Sequence, residues 1–403
     1  MAVNTFTGAT SSAWGTDTNW SLGTVPTATD GHTTTFDAAS PACTLGGNRA
    51  CYRLDMTNYT GTLTFGTFTL NVYNKSIILG SGATLSMAGG YLSSFANGIA
   101  VSITSNGCYV PYLFLGGLNP HTITLLDDFN VGKLEAHLTT NVLLTLNGNK
   151  ILVYDDWNLG TGNRQLGGTT TIEFTGSNNC LWGGTSITGS AKNPIIINKS
   201  GGTLTLREYI THSIGTITHT AGTVDTLTNN SNLIIQAQTT LNTSGMTWNN
   251  VYFQGSNTYS LYTFNSLFNA RKIIVNLYNV YFFGSAGFTV DDFIINDIQN
   301  INKNLISSYI NFYYQNVYTI NNSISSYSNK LYPRLLQSSS ATAKVTLIYN
   351  GTNANQEVIN CDALRIDSSG GNKIWTLDGT ITDSDNWGIS NSSIVPVTVA
   401  YFG

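Results

Sequence analysis

The sequence predicts an all-β protein whose short strands stack as the coils of a parallel β-helix. Three observations carry that expectation. First, charged residues make up only 9% of the 403 positions, against roughly 25% in ordinary soluble proteins. The polar remainder is Thr, Ser, Asn and Gly, with 40 Gly and 21 Tyr. Thr and Tyr favour strands, and Gly, Asn and Ser favour turns. Second, helical signals are nearly missing, with only four Glu and no sustained i, i+3, i+4 apolar stripe. Third, short phrases return: G-T-[LI]-T at 61–64, 202–205 and 215–218, and GTVDT at 222–226. Such recurrences fall roughly 20–25 residues apart, a solenoid spacing. A sandwich or barrel would instead need long antiparallel strands and hairpin turns. The low charge then has a cause. Coils lie about 4.8 Å apart, so like charges at equivalent positions repel, whereas Thr, Asn, Ser and Tyr stack freely. A hydrophobic share of 41% supplies apolar surface enough to order the chain.

In chain order, residues 1–40 hold AWGTDTNWSLGTVPTATDGHTTTFD, with two Trp, a Pro and little periodicity. They read as an N-terminal cap, since the end of a stacked sheet is an open edge. Residues 41–340 read as coils. GTLTFGTFTLNVY (61–73), NVLLTLNGNKILVY (141–154), TTTIEFTG (169–176) and NLIIQAQTTLNT (232–243) are strand phrases stopped by Gly, Asn or Ser. One coil would hold three strands of about five residues. Within this span, 268–336 is richer in Ile, Asn and Tyr. It reads either as coils with a wider aromatic interior or as a lateral insertion. Residues 341–389 return to the earlier style as closing coils, and 390–403 form an apolar tail.

The composition excludes several classes. A net charge of −4 with scattered Lys and Arg leaves no basic stripe for nucleic acid. No apolar run is long enough for a transmembrane helix, and MAVNTFTGATSSAWG lacks the basic and apolar regions of a cleaved secretory signal. No P-loop, GxSxG or dinucleotide-binding glycine pattern appears, and no cofactor is expected. The five cysteines form no CxxC pair. Cys43 and Cys51 flank TLGGNRA, a turn phrase, and read either as a disulfide or as two small buried side chains. Asp378, Asp383 and Asp385 cluster in DGTITDSDNWG, as Ca²⁺ ligands or as turn residues without EF-hand spacing.

Paired carboxylates would be needed to cut a polysaccharide. Asp127–Asp128, Asp155–Asp156 and Asp291–Asp292 are sequence neighbours, and neighbours on a strand face opposite ways. They read as turn and cap aspartates. Glu173 alternates with Ile172 and Phe174 and so points outward, and Glu208 reads as solvated beside Arg207. No catalytic residue is assigned. Tyr309, Tyr313, Tyr314 and Tyr318 lie in one stretch with Asn311, Gln315 and Asn316. Exposed Tyr beside Asn and Gln suits sugar stacking or a subunit interface; the same rings also suit an interior.

Three segments carry a resemblance. NWSLGTVPTATD near the start resembles the opening of bacterial adhesin passenger segments and related phage proteins. KNPIIINKSGGTLTL (192–206) with GTITHTAGTVDTLTNNSNLIIQAQTTLNTSGMTWNNVYFQG (215–255) resembles repeat coils of β-helix proteins of tailed phages and marine viruses, and 361–389 resembles their closing coils. The resemblance covers about half the chain and is one of repeat style. It implies a right-handed parallel β-helix, a homotrimer with other virion proteins as partners. The implied role is a non-enzymatic tail fibre, spike or capsid-surface fibre, assembled in host cytoplasm and contacting host polysaccharide. The rivals are a polysaccharide-cleaving tail spike and a surface adhesin or extracellular filament.

Overall fold

The computed structural model describes residues 1–73, 76–119, 121–136, 142–145, 148–158, 165–167, 171–187, 193–212, 214–235, 239–254, 260–277, 279–296, 308–327, 334–377 and 379–390. The chain is all-β, a parallel β-helix whose described helical content is two single 3₁₀ turns, Asp17–Asn19 and Asn353–Asn355. It forms two compact units: Met1–Ser213 with Thr220–Asp225, and Ile214–His219 with Thr226–Gly403.

In the first unit, one parallel ladder runs through Val3–Thr5, Thr33–Thr35, Arg53–Asp55, Ser76–Ile78, Val101–Thr104, His121–Leu125, Val142–Thr145 and Gln165–Gly167. A second begins at Arg49–Cys51 and Thr69–Val72 and continues through Tyr91–Asn97, Tyr109–Asn119 and Phe129–Ala136. A short third one joins Cys43–Thr44, Thr62–Gly66 and Thr84–Met87. Strand alternation puts every second side chain inside, as in the buried positions of Thr62–Gly66 and Lys150–Val153. Equivalent side chains then meet coil on coil. Leu70, Leu92, Leu113, Leu134, Trp157, Trp182 and Leu206 form one inward column by register, each at most 2% exposed. Burying each is worth about 2 kcal/mol relative to exposure. Polar contacts across coils keep the expected period: Asn106 to Asp127 spans 21 residues, Ser105 to Asp128 spans 23, and Leu181 to Asp156 spans 25.

Residues 1–40 contribute the first strand of the long ladder and an aromatic cluster. Phe6, Trp14, Trp20 and Phe36 are buried together, and the Phe36 ring lies 5.2 Å from Tyr59. Asn19, fully buried, ties the segment: its Oδ1 accepts from Thr10 N and Ser11 N, and its Nδ2 donates to Ala13 O.

The second unit continues the same parallel logic with a different filling. Thr247–Gln254 pairs with Phe268–Asn276, which pairs with Phe288–Ile295, which pairs with Val317–Tyr327. Ser260–Phe264, Asn279–Gly284, Ser308–Phe312 and Arg334–Ser338 form the adjoining ladder. Between them Phe253, Tyr262, Phe264, Phe282, Phe288, Phe312 and Tyr318 are fully buried, with neighbouring ring centroids 4.4 to 6.4 Å apart. Residues 268–336, where described, are therefore coils with an aromatic interior. The period is uneven here: cross-coil bonds span 20 residues from Asn296 to Asn276, 30 from Asn322 to Asp292 and 33 from Asn355 to Asn322. Arg334 is a buried cation amid this filling: it is 2% exposed and donates to the carbonyls of Leu277 at 2.9 Å and Asn296 at 3.4 Å. The tail beyond residue 390 lies outside the described residues.

Candidate functional site

The strands Asn279–Gly284 and Ser308–Phe312 pair in register, with Asn279 opposite Tyr309 and Tyr281 opposite Asn311. Val280, Phe282, Ile310 and Phe312 take the inward positions and are fully buried. Alternation therefore turns Tyr281, Phe283 and Tyr309 outward, and the turn that follows adds Tyr313 and Tyr314. These five rings touch in sequence. Tyr309 lies 5.4 Å from Tyr281, Tyr281 5.8 Å from Phe283, Phe283 5.4 Å from Tyr313, and Tyr313 5.2 Å from Tyr314. Tyr314 is 37% exposed and the other four are half-buried. Tyr281 OH donates to Tyr309 OH at 2.7 Å, and Tyr313 OH donates to Gln315 Oε1 at 3.0 Å. Burial, and then the Tyr309 hydroxyl, push the Tyr281 phenol up to about 12 against an opposing bond from Asn311. The Tyr281 phenol is thus a neutral donor at ordinary pH. The face is uncharged, aromatic and edged with amides, so it can stack against an apolar ring face and hydrogen-bond to hydroxyls.

Tyr309, Tyr313 and Tyr314 meet in this run, but Tyr318 does not. Its ring is fully buried against Phe288 and Phe312. Its hydroxyl donates to Phe282 O and accepts from Tyr313 N. Tyr318 is therefore an interior residue that pins the turn carrying Tyr313, and the expectation of a surface role is corrected. Sequence reasoning missed Tyr281 and Phe283, whose alternation with buried Val280 and Phe282 was the available signal.

A second outward cluster lies in the first unit. Tyr112 opposes Lys133, and Phe114 opposes Glu135, which in turn opposes Asn158. The Tyr91 ring is 5.2 Å from both Tyr112 and Phe114. The Lys133 ammonium sits 4.6 Å over the Tyr112 ring and 2.9 Å from Glu135 Oε1, while Tyr112 OH donates to Glu135 Oε2. Burial raises the Glu135 carboxyl, but bonds from Tyr112, Lys133 and Asn158 outweigh it and hold the group below its ordinary range.

The acidic neighbours are committed elsewhere. Asp127 Oδ1 accepts from Ser105 N at 2.8 Å in the coil before, while Asp128 Oδ1 accepts from Lys150 N at 2.7 Å in the coil after. Asp155 accepts from Asn178 and Asp156 from Leu181 N. Asp292 accepts from Asn322 and Ser323, and Asp291 is exposed. Glu173 points outward but is covered, 7% exposed, between Lys150 at 2.8 Å and Asn198 at 3.0 Å. Burial raises its carboxyl and those two bonds more than reverse the effect. The Glu208 side chain lies outside the described residues.

The two remaining alternatives from the sequence resolve as follows. Cys43 and Cys51 are separate buried thiols rather than a disulfide. They sit on strands of different ladders, each pushed up to about 12 by burial. Asp378 lies outside the described residues. Asp383 and Asp385 face the Lys344 ammonium at 3.4 and 2.8 Å, so both carboxylates pair with the chain's own cation. Among the described residues no group of three or more His, Cys, Asp or Glu could hold a metal.

In comparisons with known proteins, no family model, no curated protein and no solved structure matches the chain.

Proposed function

We propose that the chain is a structural and adhesive β-helix protein that presents its outward aromatic run, Tyr309, Tyr281, Phe283, Tyr313 and Tyr314, to surface glycans. The observation that carries this reading is the run itself: five rings in continuous contact, three of them on rigid paired strands. Aromatic side chains are costly on a surface unless they have a partner, and groups fixed on strands lose little entropy on binding. Neutral phenols and amides recognise hydroxyl-rich ligands without demanding charge. The parallel β-helix fold is compatible with a fibre, spike or adhesin. Together with the repeat-style resemblance, it supports a virion component acting as a homotrimer. A non-enzymatic role is favoured because Asp127 and Asp128 are split between coils, and Asp155 and Asp156 are each taken up by hydrogen bonds to the next coil.

Binding of the purified chain to a neutral glycan array, compared with a Tyr281→Ala/Tyr313→Ala double variant, tests the face. Loss of binding in the variant supports it, and equal binding overturns it. Release of reducing ends from capsular polysaccharide would replace adhesion with depolymerisation. Failure to detect the chain in purified particles would sink the virion assignment alone.

A further inference from the structure

A different corner of the first unit gathers two tyrosines, a carboxylate and an amide from successive coils. Tyr109, Gly132, Asp155 and Asn178 follow one another at intervals of 23 residues, the span of the Asn178–Asp155 bond. A methyl added at Gly132 would lie 2.5 Å from Tyr109 Oη, 2.5 Å from Pro111 O and 2.8 Å from Asp155 Oδ2. The phenol and the carboxylate therefore close over bare backbone, one from the coil before and one from the coil after. Tyr109 Oη lies 3.5 Å from Asp155 Oδ2, a long contact, while Asn178 Nδ2 donates to Oδ1 at 2.8 Å. The Tyr154 ring stands 5.5 Å from the Tyr109 ring at 89°. Tyr109 is 42% exposed, Asn178 is exposed, and Tyr154 and Asp155 are half-buried, so solvent reaches the corner. Burial, and then the Asp155 charge, push the Tyr109 phenol up to about 12, which keeps it a neutral donor.

The corner lacks a cation. Elsewhere in this unit Glu135 holds Lys133 and Glu173 holds Lys150. Among the described residues Asp155 makes no ion pair. The bond from Asn178 occupies one lone pair of Oδ1, and the long phenol contact leaves Oδ2 able to accept a stronger donor. A carboxylate and the faces of tyrosine rings both attract an ammonium group. The rings also offer apolar surface for a sugar ring, and the Asn178 amide has a hydrogen and an oxygen to spare for hydroxyls. We propose that Tyr109, Tyr154, Asp155 and Asn178 form a second binding site, which takes the protonated amine of an amino sugar. The amine hydrogen-bonds to Asp155 Oδ2 beside the Tyr109 ring, and the sugar lies over Gly132, where no side chain stands in its way. The site is built wholly within the first unit and needs none of the rings of the Tyr281 face. Its specificity is opposite in kind: that face is uncharged, whereas this corner selects a positive charge.

The test is titration calorimetry of the purified full chain with a glucosamine oligomer and with its N-acetylated counterpart of the same length. The two ligands differ in the charged amine that the site should read. The wild type should prefer the free amine by about fivefold or more, and added salt should shrink the preference. Asp155→Asn, which keeps the shape and the Asn178 contact, should remove it. Asp291→Asn, at an exposed acid elsewhere, should leave it intact and so exclude general attraction of a polyamine to an acidic chain. Tyr281→Ala/Tyr313→Ala should also leave it intact, which separates this site from the glycan face proposed above. Circular dichroism checks that each variant folds; should Asp155→Asn fail, Tyr109→Ala, at an exposed ring, decides in its place. Equal affinity of the wild type for the two oligomers overturns the proposal. So does a preference that survives Asp155→Asn, or one that disappears with Tyr281 and Tyr313.

Discussion

Adjacent glycines at Gly370 and Gly371 give a sharp test of the stacked-coil geometry. Neither occupies the left-handed region, so alanine brings no backbone strain to either and any difference comes from the neighbouring coil. A methyl at Gly370 meets only Ile348 side-chain atoms at 3.5 and 3.7 Å, an ordinary contact. A methyl at Gly371 lies 2.5 Å from Tyr349 O and 2.7 Å from Tyr349 N. Backbone atoms cannot rotate away, so the coils must open locally by about 1 Å to reach van der Waals separation. Asn372 N donates to Tyr349 O at 2.6 Å, and an opening of about 1 Å breaks that bond. Its loss costs about 1 kcal/mol and the overpacking about 1–3 kcal/mol, so Gly371→Ala should cost about 2–4 kcal/mol. Gly370→Ala should be neutral, or stabilising by about 0.5 kcal/mol through the unfolded chain. Because coils interact with nearest neighbours, the damage is local. Hydrogen exchange at the Asn372 amide, beside urea denaturation followed by circular dichroism, reads it directly. Equal exchange and equal midpoints in the two variants would refute the coil contact.

Other perturbations follow from the same packing. Glu173→Gln should destabilise the chain by about 1 kcal/mol, a modest figure because Lys150 is partly exposed. Since the Glu173 carboxyl is held low in the folded state, its contribution is full above the ordinary carboxylate range and lost as pH falls through the lowered value. The gap between wild type and variant should therefore close in acid, as measured by thermal melts at stepped pH. Burial pushes the Cys51 and Cys361 thiols up from 9.0 to about 12 and Cys108 to about 11. A chromogenic thiol reagent near neutral pH should leave these cysteines unmodified until the chain is denatured. Stability should hold below pH 9 and fall as pH rises toward 12, because the unfolded thiols ionise first; Cys51→Ala should flatten that alkaline limb. The double substitution of Tyr281 and Tyr313 should abolish glycan capture while lowering the melting temperature only modestly, since both half-buried rings lie on the outer face and not in the interior.

The fold was readable because a solenoid writes its geometry into composition. Strand phrases such as GTLTFGTFTLNVY, stopped at Gly and Asn, became Thr62–Gly66 and Thr69–Val72, and the period of roughly 20–25 residues held through the first unit. It became uneven in the second, from 20 residues between Asn276 and Asn296 to 33 between Asn322 and Asn355, and no local signal encodes the length of a connection. The site was less readable because facing depends on register. Tyr309 and Tyr318 look alike in sequence, yet Tyr309 pairs with outward Asn279 while Tyr318 pairs with Leu347 and falls inside. Tyr281 lies 28 residues before the hydroxyl it bonds, a separation that becomes contact only once the coil is closed. Lys133, Glu135 and Asn158 passed unweighed for the same reason: Asn158 lies one coil away from its register partner Glu135.

The aspartate neighbours show how the composition and the chemistry are one argument. In a stack of coils, a carboxylate repeated at one position would repel its neighbour above and below. Asp127 and Asp128 instead lie at a bend, where each accepts backbone hydrogens from a different coil. Asp127 reaches Ser105 and Asn106 behind it, and Asp128 reaches Lys150 ahead. Two adjacent acids that look like a catalytic pair in sequence thus act as opposed clamps, one on each neighbouring coil. Each replaces water at an otherwise open N–H, a charge-assisted bond worth more than a neutral one. Where outward groups are aromatic and continuous, as from Tyr309 to Tyr314, the surface can act through stacking, and where they are charged, as at Lys150 and Glu173, an ion pair ties one coil to the next.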